Sequence, residues 1–314
     1  MMTETITRPG AGERIRNGVP IPDTNGEPIH AHGGWILPHG GWYYWYGEDR
    51  RGDGYVACYR SRDLHAWEPR GLVLHAGSPT APMRIHSDLT LRRADGGKVN
   101  IERPKVLRAP DGRFVLWAHY ENGADYGAAA ACVATADAPD APFTYRGSFR
   151  PLGEMSRDCT LFLDDDGTAY FLSASRDNAD LHLYRLTEDL LGVDCLLRTL
   201  HAGEFREAPA LFKRDGKYIL LTSHCTGWAP NQGTWIAADS LSGRFSPPRP
   251  FGDATTYRSQ PAFVLPTPDG RYLYFGDRWG GGGEAYFTST YVILPIDFDG
   301  AGAPLISWDD SAPI

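Results

Sequence analysis

Lysine is scarce in this chain. The 314 residues carry 31 basic side chains, of which only Lys98, Lys105, Lys213 and Lys217 are lysines, and no Lys/Arg run interleaves with aromatics. With a net charge of −8 and a pI near 5.7, the chain repels polyanions, so nucleic acid is excluded as an expected partner. Long apolar runs are missing too. No window approaches the roughly 20 residues of a membrane span, and Met1 to Asn17 is polar, without the apolar centre of a secretory leader. These absences predict a soluble, cytoplasmic protein with no membrane partner. The five cysteines, Cys58, Cys132, Cys159, Cys195 and Cys225, are odd in number, far apart and form no C-x-x-C pair. That pattern excludes a disulfide framework and predicts reduced thiols packed in strands. Gly280 to Gly283 is not followed by Lys-Ser/Thr, so it is no phosphate loop.

What is present is a repeat. Gly-marked turns lie at Pro38-His39-Gly40-Gly41, Ala109-Pro110-Asp111-Gly112, Asp165-Asp166-Gly167, Lys213-Arg214-Asp215-Gly216 and Thr267-Pro268-Asp269-Gly270. Each joins an apolar strand to an aromatic one, such as Trp42-Tyr43-Tyr44-Trp45-Tyr46 or Arg271-Tyr272-Leu273-Tyr274-Phe275, which is a hairpin signal. A spacing of roughly 50 to 70 residues gives each unit room for a four-stranded sheet. The prediction is an all-β chain folded as one five-bladed β-propeller over residues 18–314, after an extended or disordered tail at 1–17. Leu72 to Gly97 is expected to be a rim loop. Ala128 to Ala134, although rich in small residues, is placed as a strand, and Leu305 to Trp308 as a closing strand.

In such a ring the first strand of every blade lines the axis. The residues just before those strands are polar in every unit: His32, Glu102, Asp158, Glu207 and Gln260. Five polar groups converging on one funnel suit glycosidic bond cleavage, in which a protonated acid serves the leaving oxygen and a second group activates water on the opposite face. Inverting enzymes hold the two roughly 6.5 to 9.5 Å apart. A lone strand-start carboxylate commonly does no more than bind loop N–H groups; several converging through a repeat point to chemistry.

The chain resembles the family 43 glycoside hydrolases, five-bladed propellers acting on arabinans, xylans and galactans, and within them the exo-β-1,3-galactanase-like branch. The likeness rests on Ile29-His-Ala-His-Gly-Gly-Trp-Ile-Leu37, Trp42-Tyr-Tyr-Trp-Tyr-Gly-Glu48, Ile101-Glu-Arg-Pro-Lys-Val-Leu107, Ser156-Arg-Asp-Cys-Thr-Leu-Phe162, Phe205-Arg-Glu-Ala-Pro-Ala-Leu-Phe212 and Ser259-Gln-Pro-Ala-Phe263. Most of the family starts blade one with the Asp that activates water; here that place reads His30-Ala31-His32-Gly33. The galactanase-like branch shares this absence and is thought to use a Gln in its imidic acid form. The resemblance therefore implies Glu207 as general acid, Gln260 as base, Asp158 tuning the acid and Glu102 holding sugar or water. Low dielectric and the charges of Asp158 and Glu102 are expected to raise Glu207.

Trp228 and Trp279 are candidate sugar platforms at the funnel mouth. The resemblance adds Tyr126, Asn178, Thr226 and Glu48 as hydroxyl binders, and His32 and Arg103 join the candidates for substrate contact. Arg103, Arg157 and Arg206 adjoin the site carboxylates and are read chiefly as their charge partners. No metal site is predicted. His30 and His32 form a His-x-His without a third ligand, and Asp164-Asp165-Asp166-Gly167 belongs to the turn series. Relatives with an ion on the propeller axis leave calcium near His224 as an option. The expected activity is inverting release of terminal galactose from β-1,3-galactan or, for a cytoplasmic protein, from imported oligosaccharides. A β-galactofuranosidase, an α-L-arabinofuranosidase and a non-catalytic carbohydrate-binding propeller stand as alternatives.

Overall fold

A computed structural model describes residues 14–83 and 88–314; the first part of the expected tail and the middle of the expected rim loop lie outside the described residues. Five antiparallel sheets follow one another along the chain. Blade one is His32–His39, Trp42–Glu48, Gly54–Ser61 and Glu68–His75, and blade two is Asn100–Arg108, Phe114–Glu121, Ala130–Ala136 and Thr144–Phe149. Cys159–Leu163, Ala169–Ser175, Asp180–Leu186 and Val193–Leu200 make blade three, and Arg206–Arg214, Lys217–His224, Gly233–Ala238 and Arg249–Phe251 make blade four. Blade five has three strands, Gln260–Pro266, Tyr272–Arg278 and Thr290–Pro295. All five glycine-marked turns join the first strand of a blade to its second, and the small-residue segment of blade two is a strand.

Ring closure differs from expectation. Leu305 pairs in a two-residue ribbon, Asp297–Phe298 with Pro304–Leu305, whereas the latch is Arg14–Arg16 paired with Ser311–Pro313. Asn17 locks this latch to blade five: its amide donates to Ile293 O at 3.0 Å and Asp309 O at 2.8 Å and accepts from Ile293 N at 2.6 Å. The last stretch of the predicted tail is thus extended and pinned. Blade one also runs on to His75, so its loop begins later than Leu72, because Val73 and Leu74 are buried in the core between blades one and two.

Large aromatics fill the wedges between blades. Trp45 is buried edge-on to Trp67, Phe275 and Tyr291, tying blade one to blade five. Trp117 packs on Phe171 of blade three and donates its indole N–H to Leu190 O at 2.8 Å, satisfying the polar edge of an otherwise apolar ring.

Four of the five inner strands share one irregularity, which Cys159–Leu163 of blade three lacks. Register slips between His32 and Trp35, Glu102 and Lys105, Glu207 and Ala210, and Pro261 and Phe263. An extra residue on one strand bends it and re-aims its side chains. The residue after the polar one is left-handed in three blades, with φ of 56° at Gly33, 51° at Arg103 and 53° at Ala208. At Gly33 a Cβ would stand 2.8 Å from Glu48 Oε1, so only glycine fits. Bulges next to a functional residue turn it off the ladder and toward the axis.

Candidate active site

A pocket of about 350 Å³ opens at one end of the ring, lined by Glu48, Arg50, Glu102, Arg103, His119, Tyr126, Arg157, Asp158, Asn178, Glu207, Gly227, Trp228, Gln260 and Trp279. Four of the five strand-start residues therefore meet there. Arg103 connects two of them: Nε pairs with Asp158 Oδ2 at 2.7 Å and Nη2 donates to Gln260 Oε1 at 2.5 Å, while Nη1 donates to Pro261 O at 3.0 Å. Its backbone N–H, turned inward by the bulge, donates to Glu48 Oε1 at 3.1 Å. Beneath it the buried Lys105 ammonium donates to Gly33 O at 2.7 Å and Arg103 O at 3.3 Å, joining two of the bulges.

Gln260 is fixed at both ends. Its oxygen accepts from Arg103 and, at 2.7 Å, from Trp279 Nε1, while its nitrogen donates to Glu207 Oε1 at 2.9 Å and Ser223 Oγ at 3.0 Å. Arginine and indole N–H groups only donate, so the amide orientation follows from its neighbours.

Glu207 and Glu102 have opposite environments. Burial first, then the charge of Asp158, pushes Glu207 up to about 7, against the pull of Arg103 and of hydrogen bonds from Cys225 and Gln260. Asp158 is itself turned to the Ala208 N–H, 3.0 Å away. Burial alone would raise Glu102 as well, but His119, Arg50 and Tyr126 outweigh it and hold this carboxyl well below the usual carboxylate range. Arg50 Nη2 and Tyr126 OH reach Glu102 Oε1 at 3.0 and 2.9 Å, and His119 Nδ1 lies 3.2 Å from Oε2. The expected contribution of Glu102 to the lift of Glu207 is therefore not seen: its charge is compensated locally. One carboxyl is thus kept protonated near neutrality, as a general acid must be, and the other is kept ionised.

Three predicted residues sit elsewhere. His32 is fully buried, 3.2 Å from Asp277 Oδ1 and stacked on Tyr291, so it cannot touch a sugar. Thr226 spends its hydroxyl in its own turn, donating to Ala229 O at 2.6 Å and accepting from Asn231 at 2.7 Å. Arg206 points to the other side of its strand, where it donates to Thr222 O and Thr234 rather than to a site carboxylate. Arg157 does line the pocket, but its closest carboxylate is Asp177 at 2.9 Å. Trp228 and Tyr126 line the mouth, 44% and 46% exposed, and Trp279 stacks on Tyr286, whose hydroxyl donates to Glu48 Oε2 at 3.1 Å. His224 is exposed at the end of its strand, and among the described residues no three His, Cys, Asp or Glu gather as metal ligands.

Sequence reasoning missed Arg50, His119, Glu121, Ser223 and Tyr286. The signal for two of them was visible, since His119 and Glu121 are ionisable residues in an otherwise apolar strand, Phe114–Glu121, that is buried throughout.

The profile of glycosyl hydrolases family 43 matches residues 30–249. The chain belongs to this family. A search of the curated proteins gives no significant match. Among solved structures, an exo-β-1,3-galactanase from Clostridium thermocellum is similar over 95% of this chain and 66% of its own, with 46% identity and a TM-score of 0.85. The exo-β-1,3-galactanase of Phanerochaete chrysosporium, solved with β-1,3-galactotriose, is 36% identical over 95% of this chain and 68% of its own, with a TM-score of 0.84. A family 43 β-1,3-galactosidase solved with galactodeoxynojirimycin is 34% identical over 94% and 99% of the two chains, with a TM-score of 0.82. The chain thus spans just under two thirds of the Clostridium protein, and nearly all of the galactosidase.

Proposed function

We propose that this family 43 chain is an inverting exo-hydrolase that releases terminal galactose from β-1,3-linked galactan or galacto-oligosaccharides. The observation that carries the reading is the pairing, in one pocket, of a carboxyl lifted to about 7 at Glu207 with the ionised Glu102, in a chain similar to enzymes of that activity. A pocket near the small end of ligand sites suits a chain end rather than the middle of a polymer.

In this mechanism Glu207 gives its proton to the leaving oxygen as the C1–O bond breaks, and water adds to C1 from the opposite face. Gln260, in its imidic form, takes the proton from that water through nitrogen. The imidic hydroxyl proton is then released and returns through solvent to Glu207, leaving the amide, whose oxygen accepts from Arg103 and Trp279. Asp158 tunes Glu207, Glu102 receives sugar hydroxyls or water, and Trp228 supplies a stacking face.

The deciding experiment incubates the protein with β-1,3-galactobiose and galactotriose and with nitrophenyl β-galactopyranoside, β-galactofuranoside and α-L-arabinofuranoside, following products by NMR. Galactose appearing first as the α-anomer, from the oligosaccharides, is expected. Furanoside cleavage alone would replace the substrate class, and calorimetric binding without turnover would make the propeller a lectin.

A further inference from the structure

From Glu102 in the pocket a buried row of charges runs into the wall, and its farther members, His119 and Glu121, have no part in the proposed chemistry. Glu102, His119 and Glu121 stand in line: His119 Nδ1 is 3.2 Å from Glu102 Oε2, and His119 Nε2 is 2.8 Å from Glu121 Oε1. Their side chains are 9%, 1% and 0% exposed. Glu121 is anchored in turn, its Oε2 accepting from Ala129 N at 3.0 Å, and its Oε1 is 3.9 Å from Arg157 Nε. At the pocket end Arg50 bridges Glu102 and Glu48 at 3.0 and 2.8 Å, and Tyr126 adds a hydroxyl to Glu102 and packs its ring 5.9 Å from that of His119.

Charge decides the state of the imidazole. Three carboxylates, Glu48, Glu102 and Glu121, face Arg50 and, at 3.9 Å, Arg157, whose nearer partner is Asp177 at 2.9 Å. A neutral His119 would leave the cluster with an uncompensated buried charge, which is costly. A neutral ring would also present one bare nitrogen to a carboxylate, because it carries a single N–H. The doubly protonated ring donates to Glu121 and sets its positive charge 3.2 Å from Glu102. Burial by itself would lower this imidazole, but the hydrogen bonds and charges of Glu102 and Glu121 lift it to about 9.

We propose that His119 is a positioning residue: an imidazolium, backed by Glu121, that keeps Glu102 ionised and fixes its carboxylate plane toward the bound sugar. The inference rests on the reading of the pocket as a glycosidase site, but its first test needs no turnover.

With histidines labelled in 15N, one imidazole of the wild-type protein is expected to keep both ring N–H protons at pH 8, and its signal to vanish in His119→Asn. A wild-type protein in which every imidazole is neutral at pH 8 overturns the proposal whatever the activity. In the folded enzyme, His119→Asn preserves a neutral donor to Glu102, and Glu121→Gln preserves the imidazole. Both are expected to lower kcat more than they raise KM. The acid limb of kcat/KM should move upward by about 1 to 3 pH units, the range that loss of a paired charge spans. A merely structural role would lower thermal stability and leave that limb in place; an unmoved limb in both folded variants overturns the proposal.

Discussion

The side-chain nitrogen of Gln260 donates to Glu207 Oε1 at 2.9 Å, so the residues read as base and acid of one reaction are in direct contact. Inverting pairs work roughly 6.5 to 9.5 Å apart. On the proposed mechanism the sugar enters between them and breaks this bond, leaving Gln260 held by Arg103, Trp279 and Ser223. Gln260→Gly is expected to lose at least ~100-fold in kcat, and azide should restore turnover by attacking C1 to give α-galactosyl azide. Azide rescue of Glu102→Gly in place of Gln260→Gly would move the base to Glu102.

Glu207→Gln should abolish hydrolysis of β-1,3-galactobiose, a loss of about 100- to 10,000-fold for a missing general acid. Binding of the same disaccharide, read by calorimetry, should stay within a few-fold of wild type. Equal loss of binding would remove Glu207 from the acid role.

The pH dependence follows from the same group. Glu207 must be protonated, so kcat/KM should fall as pH rises through about 7. The stability has a matching sign: a carboxyl whose folded pKa is raised contributes fully below its unfolded value and loses that contribution as pH rises through the folded one. Glu207→Gln should accordingly melt higher than wild type at pH 8, with the gap closing toward pH 4. A gap that widens on acidification would contradict the raised pKa.

The two tryptophans of the mouth separate binding from chemistry. Trp228→Ala removes an exposed face and should raise KM about fivefold, the equivalent of ~1 kcal/mol of stacking, with kcat kept. Trp279→Phe keeps a ring but deletes the donor to Gln260; one hydrogen bond is worth about 0.5 to 1.5 kcal/mol, so kcat should drop about twofold to twelvefold. Steady-state kinetics on galactotriose distinguishes these outcomes from a shared effect on KM.

Away from the pocket, Asn17→Ala should cost about 1 to 3 kcal/mol, since the buried Ile293 N–H loses its side-chain partner. The melting temperature should fall by several degrees, with KM unchanged.

Repetition made the fold legible: each turn and aromatic strand is locally encoded, and a ring is what five such sheets build. The funnel residues were legible for the same reason, because one rule placed Glu102, Asp158, Glu207 and Gln260 together. The rule failed at His32, where Asp277, 245 positions away in the chain, captures the ring and Tyr291 stacks against it; no local signal reports such a partner. Thr226 and Arg206 failed differently, through a turn that consumes a hydroxyl and a strand whose alternation buries a side chain within the blade, away from the pocket. The bulges that aim the site are marked only by short Gly or Pro neighbours such as His32-Gly33 and Glu207-Ala208-Pro209, too brief to read without coordinates.

The pairing of Arg14–Arg16 with Ser311–Pro313 sets the timetable of folding. Each blade is a local meander that can form while the chain is still being made, but the latch joins partners 297 positions apart, so its closure comes after all five blades exist. Blade five has three strands among the described residues, and Asn17, next to the latch, bonds to the backbone of the last of them. The interval before closure is when the chain is open to swapping strands with a second copy.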